Sequence, residues 1–93
     1  MQIYSDHFGR VIWLTISPAE VRMDLQDLAP DFEYEMCATV SDVGKLCESL
    51  NVTYEELQAA LLLRLENQVT AFDLFTELLD DHHIQFEYFS ADL

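Results

Sequence analysis

The chain has 93 residues, 51% of them hydrophobic, with six Phe, four Tyr and one Trp, a composition that folds around a core rather than remaining an acidic tail. Against 4 Lys plus Arg stand 18 Asp plus Glu. The formal charge of −14 disfavours nucleic acid and anionic membrane as partners and favours a basic protein surface.

A chain of this length is expected to form one domain, residues 1–93, burying about 60–65% of the surface its unfolded form exposes. Two Gly and two Pro leave little material for linkers. Cys37 and Cys47 form no C-x-x-C pair and no disulfide framework. Cys47 falls on the apolar face of a predicted helix, where a small buried thiol is the ordinary reading. The N-terminus lacks a basic region followed by an apolar run, and no apolar run approaches the ~18 residues of a membrane span. A reducing cytoplasm fits these features.

Taken in order, Gln2 to Ser5 and Arg10 to Ile16 read as two strands of a hairpin, turned by Asp6-His-Phe-Gly9. The second strand is so continuously apolar that burial on both faces is expected. Ser17-Pro-Ala-Glu20 has the form of a capping box with proline at the first helical position, so a helix is expected from there to Pro30. Its inner face would carry Val21, Leu25 and Leu28, and its outer face Glu20, Asp24 and Asp27. Phe32 to Val40 reads as a strand. Ser41 is the expected cap of a helix with Val43, Leu46, Cys47 and Leu50 inside, ended by a left-handed Asn51.

Thr53-Tyr-Glu-Glu56 opens a second helix, whose leucines imply a largely buried, central position. A third helix runs from about Thr70 to Asp81 with Phe72, Phe75, Leu78 and Leu79 inside. Ile84 to Phe89 alternates as a last strand. The expected fold is α+β: an antiparallel sheet of about four strands in the order ββαβαααβ, with helices packed on one face.

Three stretches invite chemical readings. Val43–Leu50 with Thr53–Leu65 resembles the helix-turn-helix core of small transcriptional regulators. The second helix, however, opens on Tyr54, Glu55, Glu56 and Gln58, and its carboxylates would repel phosphates. Asp80-Asp-His-His83 offers metal-ligating residue types. Neighbouring helical residues point about 100° apart and do not converge on one ion, so a contact patch or a solvated turn is expected instead. His82 and His83 suit a helix C-terminus, whereas Asp80 and Asp81 oppose its dipole. Glycine-rich phosphate loops, G-x-S-x-G and H-E-x-x-H are lacking, so neither catalysis nor a cofactor is expected.

The carboxylates themselves carry the functional reading. On a strand, Asp31, Glu33 and Glu35 share one face at ~6.6–6.8 Å intervals, near the spacing of successive phosphates along a nucleic-acid strand. Glu87 joins them if the last strand pairs alongside. Glu20, Asp24 and Asp27 form a second acidic row, Glu55, Glu56 and Glu66 lie on another helix, and Asp80 and Asp81 make an acidic contact patch. Like charges held this close destabilise a fold by a few tenths to ~1 kcal/mol per pair, a cost that a basic partner would offset.

In size and charge the chain is similar to the DNA-mimic inhibitors that phages and mobile elements direct against restriction or CRISPR complexes. That resemblance implies a cytoplasmic inhibitor covering the nucleic-acid channel of a basic protein, with Tyr54, Tyr88 and Phe89 as candidate anchors. An immunity protein or antitoxin covering a basic nuclease uses the same physics. A structural subunit or chaperone holding a partner helix in an apolar groove does not, and self-association is compatible with each of these.

Overall fold

Burial every second residue governs the first forty residues. In the computed structural model, which describes residues 1–30 and 32–92 (Phe32 by its backbone alone), they form a four-stranded meander. Its strands are β1 (Gln2–Ser5), β2 (Arg10–Ile16), β3 (Val21–Ala29) and β4 (Phe32–Val40). Three helices come next, α1 (Val43–Leu50), α2 (Tyr54–Leu65) and α3 (Ala71–Asp81), before β5 (Glu87–Asp92) returns to pair with β4. Every neighbouring pair is antiparallel, and the order across the sheet is β1-β2-β3-β4-β5.

The α+β class, the antiparallel sheet and the one-sided helices are therefore as expected. The sheet has five strands, because the segment expected as a first helix is β3. Ser17 makes the local bonds of a helix cap: its Oγ accepts from the amides of Ala19 at 3.3 Å and Glu20 at 3.2 Å. The same residues also close a hairpin, with the Ser17 amide donating to the Glu20 carbonyl at 2.9 Å. Val21, Met23 and Leu25 succeed one another at a period of two, and all are buried. Their apolar pattern satisfies either a helix or a strand. The free edges of β2 and β4, which bracket this segment along its whole length, decide for the strand.

The β1–β2 turn is tied down by Asp6, whose carboxylate accepts from the Tyr4 hydroxyl at 2.7 Å and from the amides of Phe8 at 2.9 Å and Arg10 at 3.2 Å. The Tyr4 hydroxyl, with these amides, holds the Asp6 carboxyl below its ordinary range. Gly9 completes the turn at φ +107°, and its carbonyl accepts from the Leu28 amide at 3.0 Å.

One core lies between the sheet and the helices. Ile12, Leu14, Val21, Met23, Leu25, Ala38 and Val40 meet Leu46, Leu57, Leu61, Leu65, Phe72, Phe75 and Leu79 there. Asp42, rather than Ser41, caps α1, accepting from the Lys45 amide at 3.0 Å, and Asn51 ends it in the left-handed conformation at φ 55°. The capping box of α2 forms as expected.

That helix is buried on one side rather than central. Leu57, Leu61 and Leu65 face the core while Leu63 is 86% exposed. The last strand begins at Glu87, three residues later than Ile84, because Ile84 turns inward to the core from the connection.

Candidate functional site

All three helices lie on one side of the sheet, so the other side is left uncovered among the described residues. The register places a straight row of side chains across it: Gln2, Trp13, Asp24, Cys37 and Phe89, one from each strand. Thr15, Arg22, Thr39 and Glu87 form a neighbouring row, and Val11, Gln26, Glu35 and Ala91 lie on the opposite flank. Glu33 comes beyond Glu35, opposite Leu28.

Asp24, Glu33, Glu35 and Glu87 are therefore on one surface, with Arg22 as the cation among them. Glu87 shares the face of Glu33 and Glu35 but stands at its far end, opposite Thr39. Asp31 lies outside the described residues.

Trp13 and Phe89 flank a groove of about 270 Å³ running along β3 and β4, with Asp24, Cys37 and Glu35 among its lining residues. Arg22 reaches along its own strand to Asp24. Nε lies 3.1 Å from each carboxylate oxygen and Nη2 lies 3.0 Å from Oδ1. This pairing raises the guanidinium's pKa further. Burial, chiefly, pushes the Cys37 thiol up, so it is not an activated nucleophile.

A second concavity, of about 650 Å³, opens where the sheet ends and brings Asp42, Asp80 and Glu87 together with Thr39 and His83. Glu87 belongs both to this cleft and to the open sheet face, so the acidic surface continues round the end of the sheet. At this end Lys45 Nζ donates to the His83 carbonyl at 2.6 Å, occupying the ammonium with backbone. His83 itself adopts φ 55°, stopping α3.

The other predicted site residues do not join this surface. Asp27 points to the core side at the sheet's margin and pairs with Arg10 Nε at 3.1 Å. Arg10 also donates to the Tyr34 hydroxyl at 2.7 Å and to the Val69 carbonyl at 2.9 Å, so the group ties β2, β3 and β4 to the segment before α3. Burial lowers the Arg10 pKa, but Asp27 and Tyr34 outweigh it and leave the guanidinium raised.

Glu20 sits in the β2–β3 turn, so the expected acidic helix row Glu20, Asp24 and Asp27 does not exist; β3 sends Asp24 and Asp27 to opposite faces. Glu55 and Glu56 open α2 in the helical layer. The Glu56 side chain accepts from the Thr53 amide at 2.9 Å, a bond that lowers its pKa. Asp81 lines a shallow hollow with Arg64, Leu74 and Glu77, away from Asp80.

The sequence reading misses Trp13, expected to be buried on both faces and found half-exposed on the open one. It also misses Arg22 and Cys37 as neighbours of Asp24. The signal is the alternation Val21-Arg-Met-Asp-Leu-Gln26, which puts Arg22 and Asp24 on one face as soon as the segment is read at a period of two. Of the candidate anchors, Phe89 is on the open face. Tyr88 lies on the opposite side of β5, edge-on to Phe72, and Tyr54 is on α2.

Among the described residues, no group of three or more His, Cys, Asp or Glu side chains is placed to hold a metal ion, and no helix is long and apolar enough to cross a membrane. Compared with protein-family models, with curated proteins and with solved structures, the chain matches none.

Proposed function

We propose that this protein is a small acidic inhibitor that lays its uncovered sheet face on the basic nucleic-acid-binding surface of a partner protein. The observation carrying this reading is that Asp24, Glu33, Glu35 and Glu87 share one sheet face on which Arg22 is the cation among the described residues. Glu33 and Glu35, two residues apart on β4, stand ~6.6–6.8 Å apart at the backbone. They would fill positions that phosphates otherwise take, and Glu87 with Asp80 would extend the contact round the end of the sheet.

The uncompensated charge supplies fast, salt-sensitive association, and the half-exposed aromatics supply apolar contact. Two free thiols accord with action in a reducing cytoplasm.

The test compares two variants of equal charge change. Glu33→Lys with Glu35→Lys alters the open face; Glu55→Lys with Glu66→Lys alters the helical layer. Immobilised native protein should capture a nucleic-acid-binding protein from bacterial lysate, and double-stranded DNA or RNA should displace it. The open-face variant should bind that protein at least about tenfold more weakly, a loss of ~1.4 kcal/mol, while the helical-layer variant stays within about twofold. Equal losses from both variants, or a captured protein that nucleic acid fails to displace, would remove the basis for the reading.

A further inference from the structure

The groove between Trp13 and Phe89 has walls and a floor of different chemistry. Trp13 on β2 and Phe89 on β5 stand three strand spacings apart, ~14 Å between backbones. Between them lie two short side chains, Asp24 and Cys37, so the aromatics rise above the floor. Glu35 lies on the next row, ~7–8 Å diagonally from Asp24. At about 270 Å³ the groove falls below the ~300–1,000 Å³ of small-molecule pockets, which makes it the size of an inserted side chain rather than of a cofactor.

The charges in the groove do not cancel. Arg22 and Asp24 neutralise each other through their forked contact. Glu35 makes no hydrogen bond or ion pair among the described residues, and Glu33 stands one step beyond it on the same strand face. The net charge offered to an incoming group is thus negative and lies beside two aromatic walls.

A guanidinium meets all three demands. It is flat enough to stack on an aromatic ring, permanently cationic, and forked to match a carboxylate edge. A lysine ammonium offers the charge but neither the plane nor the fork, and it gives up its water more reluctantly. The groove already contains one guanidinium–carboxylate fork in Arg22 and Asp24, so the geometry the second would need is compatible with this floor.

Resting on the inhibitor reading above, we propose that this groove is the receptor for an arginine side chain of the basic partner, stacked against Trp13 and Phe89 and forked on Glu35. Arg22 stays paired with Asp24 on the floor. Specificity for the partner then comes from one inserted arginine, while Glu33, Glu87 and Asp80 contribute the unspecific attraction around it.

Trp13 is the chain's single tryptophan, so its emission reports on the groove directly. The whole protein would be titrated at roughly 50 mM salt, where exposed charges are weakly screened, with nona-arginine and with nona-lysine, following Trp13 emission and heat in parallel. The arginine peptide should change the emission saturably and bind roughly fivefold more tightly than the lysine peptide. Glu35→Gln and, separately, Phe89→Leu should erase that preference while keeping the native urea midpoint. Two variants are used so that a folding defect in one leaves the other to decide.

Equal affinities for the two peptides would overturn the arginine groove while leaving the acidic-face reading standing. So would heat of binding without a change in Trp13 emission, or a preference that survives both variants. Failure of both peptides to bind at all would overturn both proposals together.

Discussion

The two glycines provide a matched test of how the fold is held, because the same substitution should act in opposite directions at each. At Gly9 the backbone is at φ +107°, and an added Cβ would stand 2.9 Å from the Leu28 carbonyl carbon and 3.1 Å from the Ala29 nitrogen. Both are main-chain atoms of β3, so no flexible side chain can move aside. Gly9→Ala therefore carries a conformational cost of about 1–3 kcal/mol and an overpacking cost of similar size. Their sum, about 2–6 kcal/mol, compares with a total stability of about 5–14 kcal/mol for a chain of this length.

At Gly44, in the first turn of α1, the nearest atom to an added Cβ is Asp42 Oδ1 at 3.7 Å, an ordinary contact, and φ is not positive. Gly44→Ala should stabilise by about 0.4–1 kcal/mol, by narrowing the unfolded ensemble. Urea denaturation at fixed pH and salt reads both. With a slope of about 1–2 kcal/mol/M, Gly9→Ala should lower the midpoint by about 1 M or more, and Gly44→Ala should raise it slightly. An unchanged midpoint for Gly9→Ala would refute the argument from backbone proximity. A Gly44→Ala variant weakened as much as Gly9→Ala would show that helix position, not space, decides.

Burial and the caps each lead to a further outcome. Leu61→Ala, at a core position with no exposure, should cost about 2–5 kcal/mol, whereas Leu63→Ala, 86% exposed two residues later, should change the urea midpoint by no more than about 0.5 kcal/mol equivalent. The second outcome concerns pH: Glu56 and Asp6 have folded-state pKa values below their ordinary values of 4.5 and 3.8. A depressed carboxyl contributes stability above its unfolded pKa and loses it as pH falls through the lower folded value. The stability difference between native protein and Glu56→Gln should accordingly be constant above about pH 5.5 and shift against the native protein below pH 4.5, as chemical denaturation across that range would show. A difference that does not vary with pH would mean that the Glu56–Thr53 bond is not formed in solution.

Legibility in the sequence depends on whether a signal is local. The cap at Asn51, the box at Thr53 and Glu56, and the turn at Gly9 are set by residues within four positions of one another, and each is readable. Ser17-Pro-Ala-Glu20 is equally local, yet it misleads, because a hydroxyl accepting two amides begins a hairpin turn as well as a helix. The segment beyond that turn, Val21 to Ala29, is apolar at both candidate periods.

The choice of strand rests on hydrogen-bonding partners that lie outside the segment, in β4 on one side and in β2 on the other, with separations reaching from Val21 to Val40 and from Arg10 to Asp27, which no window on the segment itself contains. That one choice relocates three candidate acids: Asp24 moves to the open face beside Glu35, Asp27 moves to an ion pair with Arg10, and Glu20 is left in a turn. The acidic row on β4 is legible from alternation alone. Of the aromatic walls, Phe89 is named from the sequence as a candidate anchor but Trp13 is not, since a continuous apolar run such as Val11 to Ile16 does not say which of its two faces the helices will cover.

The two walls of the groove belong to very different moments in the chain. Trp13 sits in a meander whose strands are joined by short turns, whereas Phe89 arrives on β5 only after residues 41–86 have looped back. Closing a loop roughly ten times longer costs about 2 kcal/mol more in chain entropy. Five of the six residues of β5 remain exposed to solvent, so little burial holds the strand in place. The sheet thus has one jaw more deeply seated than the other: β5 should open from β4 before the meander does, and an occupant gripping Phe89 would stitch the end of the chain to its beginning.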